Sequence, residues 1–400
     1  MRENEVVILS GARTAIGKYG GSFKDVACSD LGATVVRESI KRAGVAPDEI
    51  EQVVFGNVIH TEPKDMYLSR VAAIKGGVPK EAPALTLNRL CGSGLQAIIS
   101  AAQTIWLGDA KVAIGGGAES MSRGPYLMPG LRWGQRMGHT QTIDAVVGAL
   151  TDPFDEVHMG VTAENVAKKW NISREDQDAL ALESHRRASA AIQQGIFKSQ
   201  IVPVEVKTRK GIVVIDQDEG PRADTTLESL AKMAPVFEKN GTVTAGNASS
   251  MNDGAAAVVL MEKKAAEQRG LKALGQLVDY VVAGVDPKYM GIGPVPAVRK
   301  LLQRTGLKVS DIDVFEVNEA FAAQALAVCR DLGLPPEKTN PNGSGISLGH
   351  PLGASGAILT VKALYELQRT GGRYAVVTMC IGGGQGIAAL LAAPGVSLNS

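Results

Sequence analysis

Cys91-Gly92-Ser93-Gly94 returns 262 residues later as Gly353-Ala354-Ser355-Gly356. Each run of small residues opens an apolar, helix-like stretch. After Cys91 come Leu95, Ile98, Ile99, Ala102 and Trp106 at helical spacing. The same offset carries Ala43-Gly44-Val45-Ala46-Pro47-Asp48-Glu49-Ile50 onto Thr305-Gly306-Leu307-Lys308-Val309-Ser310-Asp311-Ile312. Amphipathic stretches precede both, from Val35 to Arg42 and from Ala297 to Arg304. Three glycines, Gly115 to Gly117, pair with Gly382 to Gly384, each triplet read as a strand end. There the offset grows to 267, implying a five-residue insertion in the second copy. A single glycine match means little; the order and near-constant spacing of several imply a duplicated chain.

Both copies alternate strand and helix patterns, which predicts an α/β fold with largely parallel, buried sheets. Val112-Ala113-Ile114 and Tyr374-Ala375-Val376-Val377 read as core strands. Two such halves packed through helices give a layered sandwich with a pseudo-two-fold axis. The expected organisation is a core half over 1–118, an inserted lobe over 119–250, a return to the core over 251–273 and a second core half over 274–400. The lobe begins with a loop-like stretch rich in Gly, Pro, Arg and Met. A helix is predicted from Ser173 to Gln194, with Ser173 as N-cap, Glu175 and Asp176 in its first turn and Gly195 as its stop.

The bulk numbers describe a globular enzyme: 400 residues, 45% hydrophobic, 21% charged, net charge +1. Near neutrality argues against nucleic acid or a charged membrane surface as partner. No 18-residue apolar run suggests a membrane span. Neither a signal-peptide block at Met1-Arg2-Glu3-Asn4-Glu5 nor a peroxisomal address at Leu398-Asn399-Ser400 is found, so the expected location is cytoplasmic. Four cysteines, Cys28, Cys91, Cys329 and Cys380, show neither zinc spacing nor the density of a disulfide framework. No metal site is expected.

Chemistry concentrates in four places. Cys91 follows the strand-like Pro83-Ala84-Leu85-Thr86-Leu87 and sits at a strand-to-helix turn, where unpaired N–H groups and the helix dipole favour a thiolate. His350 lies in the stiff turn Gly349-His350-Pro351, able to activate a thiol and then donate to a thioester oxygen. Cys380 ends a strand before Ile381 and the triple glycine. A thiol of pKa about 8.5 exchanges protons at carbon, and the free N–H groups of those glycines suit an oxyanion. Asn318, after the strand 313–317, is placed to hold a water or an enolate oxygen, with Glu319 behind it. His60, His139 and His185 read as structural, His185 on a solvated helix face. One reaction uses every part. Cys91 is acylated by a thioester, Cys380 removes the α-proton of a second thioester, and Asn318 and His350 stabilise the enolate that attacks the acyl-cysteine. The reverse is thiolytic cleavage of a 3-ketoacyl thioester, with no metal or redox cofactor.

At Asn318-Glu319-Ala320-Phe321, Gly349-His350-Pro351 and Cys380-Ile381-Gly382-Gly383-Gly384 the chain resembles the thiolase family, over essentially its whole length. The resemblance implies the layered αβαβα sandwich with an inserted coenzyme A loop domain. It implies Cys91 as nucleophile, His350 as its activator and Cys380 as acid/base. One oxyanion hole would come from His350 with an Asn318-bound water, a second from the backbone N–H groups of Cys91 and Gly382. His158 and Ser249 resemble pantetheine contacts, and Arg222 and Ser229 resemble residues near the nucleotide end. Met159 and Phe237 would line the thioester channel and Met290 the acyl pocket. Acyl-CoA, 3-ketoacyl-CoA and CoA are the implied partners, CoA being a co-substrate and not a cofactor. A homodimer, often paired into a tetramer, is the implied assembly, with Arg123 to Arg136 as a candidate contact loop.

Residues 57–67, Asn-Val-Ile-His-Thr-Glu-Pro-Lys-Asp-Met-Tyr, look like bacterial short-chain β-ketothiolases that supply polyhydroxyalkanoate precursors. Asn342-Gly343-Ser344-Gly345-Ile346-Ser347 departs from the Asn-Gly-Gly-Ala-Ile-Ala of many members, and the same turn is expected. Two other readings compete. A decarboxylating ketoacyl synthase shares the core, but the second thiol argues against it. A lipid carrier without turnover would lack Cys91 or His350, and both are present.

Overall fold

The computed structural model describes residues 5–398. Met1 to Asn4 and Asn399 to Ser400, on which part of the address reading rests, lie outside the described residues. A ten-stranded sheet runs through the core. Its first half holds β1 (Val6–Arg13), β2 (Gln52–Gly56), β3 (Ala84–Leu87), β4 (Val112–Ser120) and β5 (Asn252–Glu262). The second half holds β6 (Gly275–Gly284), β7 (Val314–Val317), β8 (Tyr374–Ile381) and β9 (Gln385–Ala392). The order is β7-β8-β9-β6-β1-β5-β4-β2-β3, with the short strand Gly17–Lys18 beside β5. The two half-sheets are hydrogen-bonded to each other where Val6, Val7 and Ile8 meet Leu277, Gln276 and Gly275.

Helices fill the layers. α1 (Cys28–Ala43) covers the outer face of the first half-sheet. α2 (Ser93–Trp106) packs on β4 and β2. Two helices of the 119–250 segment follow, α3 (Met159–Lys169) and α4 (Arg174–Gln193). α5 (Pro294–Thr305) covers the outer face of the second half-sheet, and α6 (Ala322–Leu332) packs between it and the lobe. α7 (Leu352–Thr370) lies against α2 and contacts strands of both halves, as an αβαβα sandwich requires.

The 262-residue offset is present in the elements themselves. The 3-10 turn Pro47–Glu49 maps onto Val309–Asp311, and the start of β4 at Val112 maps onto the start of β8 at Tyr374. The expected five-residue insertion is therefore corrected: Gly115 to Gly117 lie inside β4, whereas Gly382 to Gly384 form the turn after β8. The two triplets answer different demands. A Cβ on Gly117 would stand 2.1 Å from the carbonyl oxygen of Gly353, so that strand needs a missing side chain. Gly383 and Gly384 have φ of 82° and 84°, so that turn needs left-handed backbone.

At Gly94 and Gly356, themselves 262 apart, α2 and α7 touch backbone to backbone. A Cβ on Gly94 would lie 2.7 Å from the nitrogen of Ala357, and one on Gly356 would lie 2.3 Å from the nitrogen of Leu95. Ala357 and Leu95 are also 262 apart, so the two contacts mirror each other across the pseudo-two-fold axis.

The expectation of a largely parallel sheet is corrected: within it β2 with β3, β2 with β4 and β7 with β8 pair in parallel, and most other pairings do not. The pairings of β1 with β5, β5 with β4, β6 with β9 and β8 with β9 are antiparallel. Continuous apolar runs report burial on both faces, which the central helices impose whatever the strand direction.

The helix predicted from Ser173 is α4, and Ser173 Oγ accepts from the Asp176 N–H at 3.1 Å. A buried clamp fastens the region after it to the core. The Arg13 guanidinium on β1 donates to both Asp218 oxygens at 2.8 and 2.9 Å and to Gln200 Oε1 at 3.1 Å. Its carbon stands 4.9 Å from the Phe197 ring centre. No described helix is long and apolar enough to cross a membrane.

Candidate active site

One cavity of about 800 Å³ runs between the core and the 119–250 segment. Cys91, His350, Cys380 and Gly382 line it, and so do Arg222, Thr225 and Ser229.

Cys91 sits in the turn between β3 and α2. Leu90 holds φ at 44°, a left-handed conformation that costs a non-glycine residue about 1–2 kcal/mol. Ser93 holds that turn: its Oγ accepts from the Arg89 N–H at 2.8 Å and donates to the Leu90 carbonyl at 2.7 Å. The expectation of a ready thiolate is corrected here. Burial pushes the Cys91 thiol up to about 11, while N–H groups of Gly382 and of Cys91 itself pull it back in part. Desolvation outweighs the helix end. The Gly382 and Cys91 N–H groups are nevertheless those expected to form an oxyanion hole.

His350 is buried more deeply than the half-buried Cys91. Burial pushes its imidazole down to about 4, and the same burial that raises the Cys91 thiol therefore disfavours an ion pair between the two. Its backbone N–H donates to Asn252 Oδ1 at 2.9 Å, which ties the turn to the start of β5. Its Nδ1 lies 2.5 Å from Ser355 Oγ on α7. Cys380 lies near the end of β8, opposite Gly386. Burial and then the neighbouring Cys91 push its thiol far up.

Asn318 lies beside the imidazole and does not line the main cavity. Its Nδ2 stands 3.4 and 3.3 Å from the two ring nitrogens of His350. Behind it Glu319 accepts from Ser184 Oγ at 2.6 Å, from Asn340 Nδ2 at 3.1 Å and from the Ile346 N–H at 3.3 Å. The residues that depart from the common pattern join this network. Ser347 Oγ lies 2.8 Å from Ser184 Oγ, and Ser344 Oγ donates to the Val317 carbonyl at 3.0 Å.

His158 caps α3: its Nδ1 accepts from the Gly160 N–H at 3.0 Å, so the neutral ring carries its proton on Nε2. It stacks on Phe237 with ring centres 4.6 Å apart, and Phe237 meets Phe321 edge-on at 6.2 Å. Met159, Phe237, Ser249 and Met290 line the same cavity. Ser229 is already engaged as a cap, its Oγ donating to the Thr226 carbonyl at 2.8 Å. Thus the structure brings eleven of the twelve expected site residues to one cavity, with Asn318 behind its wall.

His185 is corrected. It is buried, lines the cavity and accepts the Arg222 N–H at 3.2 Å, because the cavity-facing side of α4 carries it. Burial, with Arg222 nearby, pushes its ring down to about 4. Glu119 went unnoticed in the sequence. At the end of β4 it accepts from the N–H groups of Val58, Ile59 and Gly353 at 3.1, 3.1 and 2.7 Å, and burial raises it to about 7. A buried glutamate shortly after three glycines carries no distinguishing pattern in sequence; its partners come from residues 58–59 and from Gly353 at the start of α7.

Models of the thiolase N-terminal and C-terminal domains match residues 6–264 and 271–393. The chain belongs to the thiolase family. It is 68% identical over 387 residues to the beta-ketothiolase BktB of Cupriavidus necator, covering 96% of this chain and 98% of that one. The crystal structure of the Bacillus anthracis acetyl-CoA acetyltransferase superposes with a TM-score of 0.96 at 46% identity, covering 98% and 99% of the two chains. Human mitochondrial 3-ketoacyl-CoA thiolase in complex with CoA gives 0.95 at 44% identity, covering 98% of each. As a thiolase, this chain is an acyltransferase, and the layered sandwich is the thiolase fold.

Proposed function

We propose that this thiolase is a short-chain β-ketothiolase (acetyl-CoA C-acyltransferase) that interconverts two acyl-CoA molecules with 3-ketoacyl-CoA plus CoA. The observation that carries the reading is that one cavity is lined by two thiols, Cys91 and Cys380, the His350 imidazole and Arg222. In thiolysis the Cys91 proton passes to His350 as the sulfur attacks the 3-keto carbon. The C2–C3 bond breaks, and the leaving enolate takes its proton from Cys380 as acetyl-CoA forms. CoA gives its thiol proton to Cys380 and attacks the acyl-cysteine, and Cys91 recovers its proton from His350. Condensation is the same path reversed. His350 and an Asn318-held water stabilise the enolate oxygen. The Cys91 and Gly382 N–H groups stabilise the tetrahedral oxyanion, an effect worth about 2.7–4 kcal/mol per donor in other acyl-transfer sites.

His158 and Ser249 are assigned to pantetheine, Arg222 and Ser229 to the nucleotide, Met159 and Phe237 to the thioester channel and Met290 to the acyl pocket. In this reading the 119–250 segment is the coenzyme A lobe, and CoA enters as co-substrate. The reaction supplies polyhydroxyalkanoate precursors in one direction and degrades 3-ketoacyl-CoA in the other. Its two working thiols suit a reducing cytoplasm. The assembly is a homodimer or a pair of dimers. Support for the Arg123 to Arg136 contact comes from Leu131 and Trp133, 58% and 86% exposed. A monomer by light scattering at micromolar concentration would rule that assembly out.

The test is CoA-dependent cleavage of acetoacetyl-CoA and 3-ketovaleryl-CoA side by side. Cleavage of both supports the reading, and their rate ratio ranks the acyl pocket. Thioester binding with no cleavage would point to the carrier. Cys380→Ser is expected to slow α-proton exchange of acetyl-CoA by about 10²–10⁴-fold while acyl transfer to Cys91 persists. Deuterium exchange and acyl-enzyme mass measure the two steps, and equal loss of both would refute separate roles.

A further inference from the structure

The hydrogen bonds of Ser355 determine where the imidazole proton sits. Ser355 Oγ makes two contacts, 2.9 Å to the Pro351 carbonyl and 2.5 Å to His350 Nδ1. The Pro351 carbonyl, which also accepts the N–H groups of Ala354 and Ser355 at 2.9 Å each, has no hydrogen to give, so at this contact the hydroxyl is the donor. The lone pairs of Oγ then face His350, and Nδ1 must be the donor. Asn318 Nδ2 does not compete, because at 3.4 and 3.3 Å it is nearly equidistant from both ring nitrogens and favours neither. Nε2 is left without a proton.

We propose that Ser355 is a positioning residue that locks His350 in the Nδ1–H form, so that the Nε2 lone pair is the base for Cys91. The proposal rests on the acyl-transfer reading above. When the Cys91 proton arrives at Nε2, the Nδ1–H stays on Ser355 and the ring becomes an imidazolium held at both ends. Nε2–H is then the donor for the thioester oxygen and the source of the returning proton. Both atoms belong to one short stretch. Ser355 is on the first turn of α7 and Pro351 is the residue that precedes that helix, so the lock moves rigidly with the histidine. The duplication places its counterpart at Ser93, whose Oγ holds the Cys91 turn through Arg89 and Leu90. One serine per half thus braces one partner of the thiol–imidazole pair.

The experiment is nitrogen NMR of the full-length protein with labelled histidine at neutral pH, the His350 signal being assigned with His350→Gln. Wild type should show a protonated Nδ1 and a bare Nε2. Ser355→Ala, which removes one buried oxygen and leaves the helix intact, should show a mixture of both forms. Its kcat should fall about 10–100-fold with little change in KM, as when a partner orienting an active histidine is lost. A protonated Nε2 in the wild type would overturn the inference. So would Ser355→Ala with an unchanged proton position. If wild type shows Nδ1–H but cleaves no thioester, the acyl-transfer reading falls while the lock itself stands.

Discussion

Cys91→Ser is expected to leave a folded protein that never becomes acylated. The exchange replaces sulfur by oxygen on the cavity wall, so packing loses little. Chemistry loses much more. The Cys91 thiol already stands at about 11 against an imidazole at about 4, so proton transfer must accompany attack. A serine hydroxyl gives up its proton far less readily than a thiol. The loss in kcat should be at least ~10⁴-fold, the scale seen when a nucleophile is removed from a preorganised acyl-transfer site. Whole-protein mass after incubation with acetyl-CoA reads the intermediate directly, and circular dichroism confirms the fold. Acyl-enzyme on the variant at the wild-type rate would remove Cys91 from the nucleophile role.

The second large effect concerns stability. Gly356→Ala should destabilise the protein by about 2 kcal/mol or more. In a helix interior alanine gains ~1 kcal/mol over glycine. Here that gain is outweighed, because the new Cβ would lie 2.3 Å from the nitrogen, 2.7 Å from the Cβ and 3.0 Å from the Cα of Leu95. These are largely backbone atoms in a buried helix with no rotamer to change. Overpacking typically costs ~1–3 kcal/mol, occasionally more, and a backbone obstacle belongs at the upper end. Gly94→Ala, the mirrored change against Ala357, should act with the same sign. Urea denaturation measures both. A Gly356→Ala midpoint at or above wild type would mean that the central helices slide apart freely, contrary to the packing described. Activity should fall with stability, since α7 carries Ser355 and follows the His350 turn.

How much was legible before the structure depends on the kind of signal. Gly44 and Gly306 both end a helix in left-handed backbone, φ 68° and 70°, and so their match reflects one local demand repeated. The glycine triplets matched only in composition, and strand interior and turn can both require glycine for unrelated reasons. Cys91, His350 and Cys380 were readable because each stood within two residues of a glycine or proline that shapes the turn presenting it. The thiol's proton affinity was not, because burial is a property of the closed lobe and not of the turn. His185 failed for the same reason: a helix face looks solvated in sequence until another segment covers it. Ser355 was visible as a repeat of Ser93, but its bond to His350 depends on how the turn folds back onto the helix.

The position of β5 has a consequence for synthesis. It lies between β1 and β4, yet it follows the whole 119–250 segment in the chain. Until residue 262 has been made, β1 and β4 have no common neighbour, and the first half-sheet carries a one-strand gap ~10 Å across. The nascent chain must therefore hold an open apolar slot, with exposed strand edges, while the intervening segment emerges. The first duplicated half is therefore not a folding unit that is complete before the intervening segment is made. The earliest half completes its sheet only when about two-thirds of the chain exists, and its edge strand β1 then receives β6 from the other half.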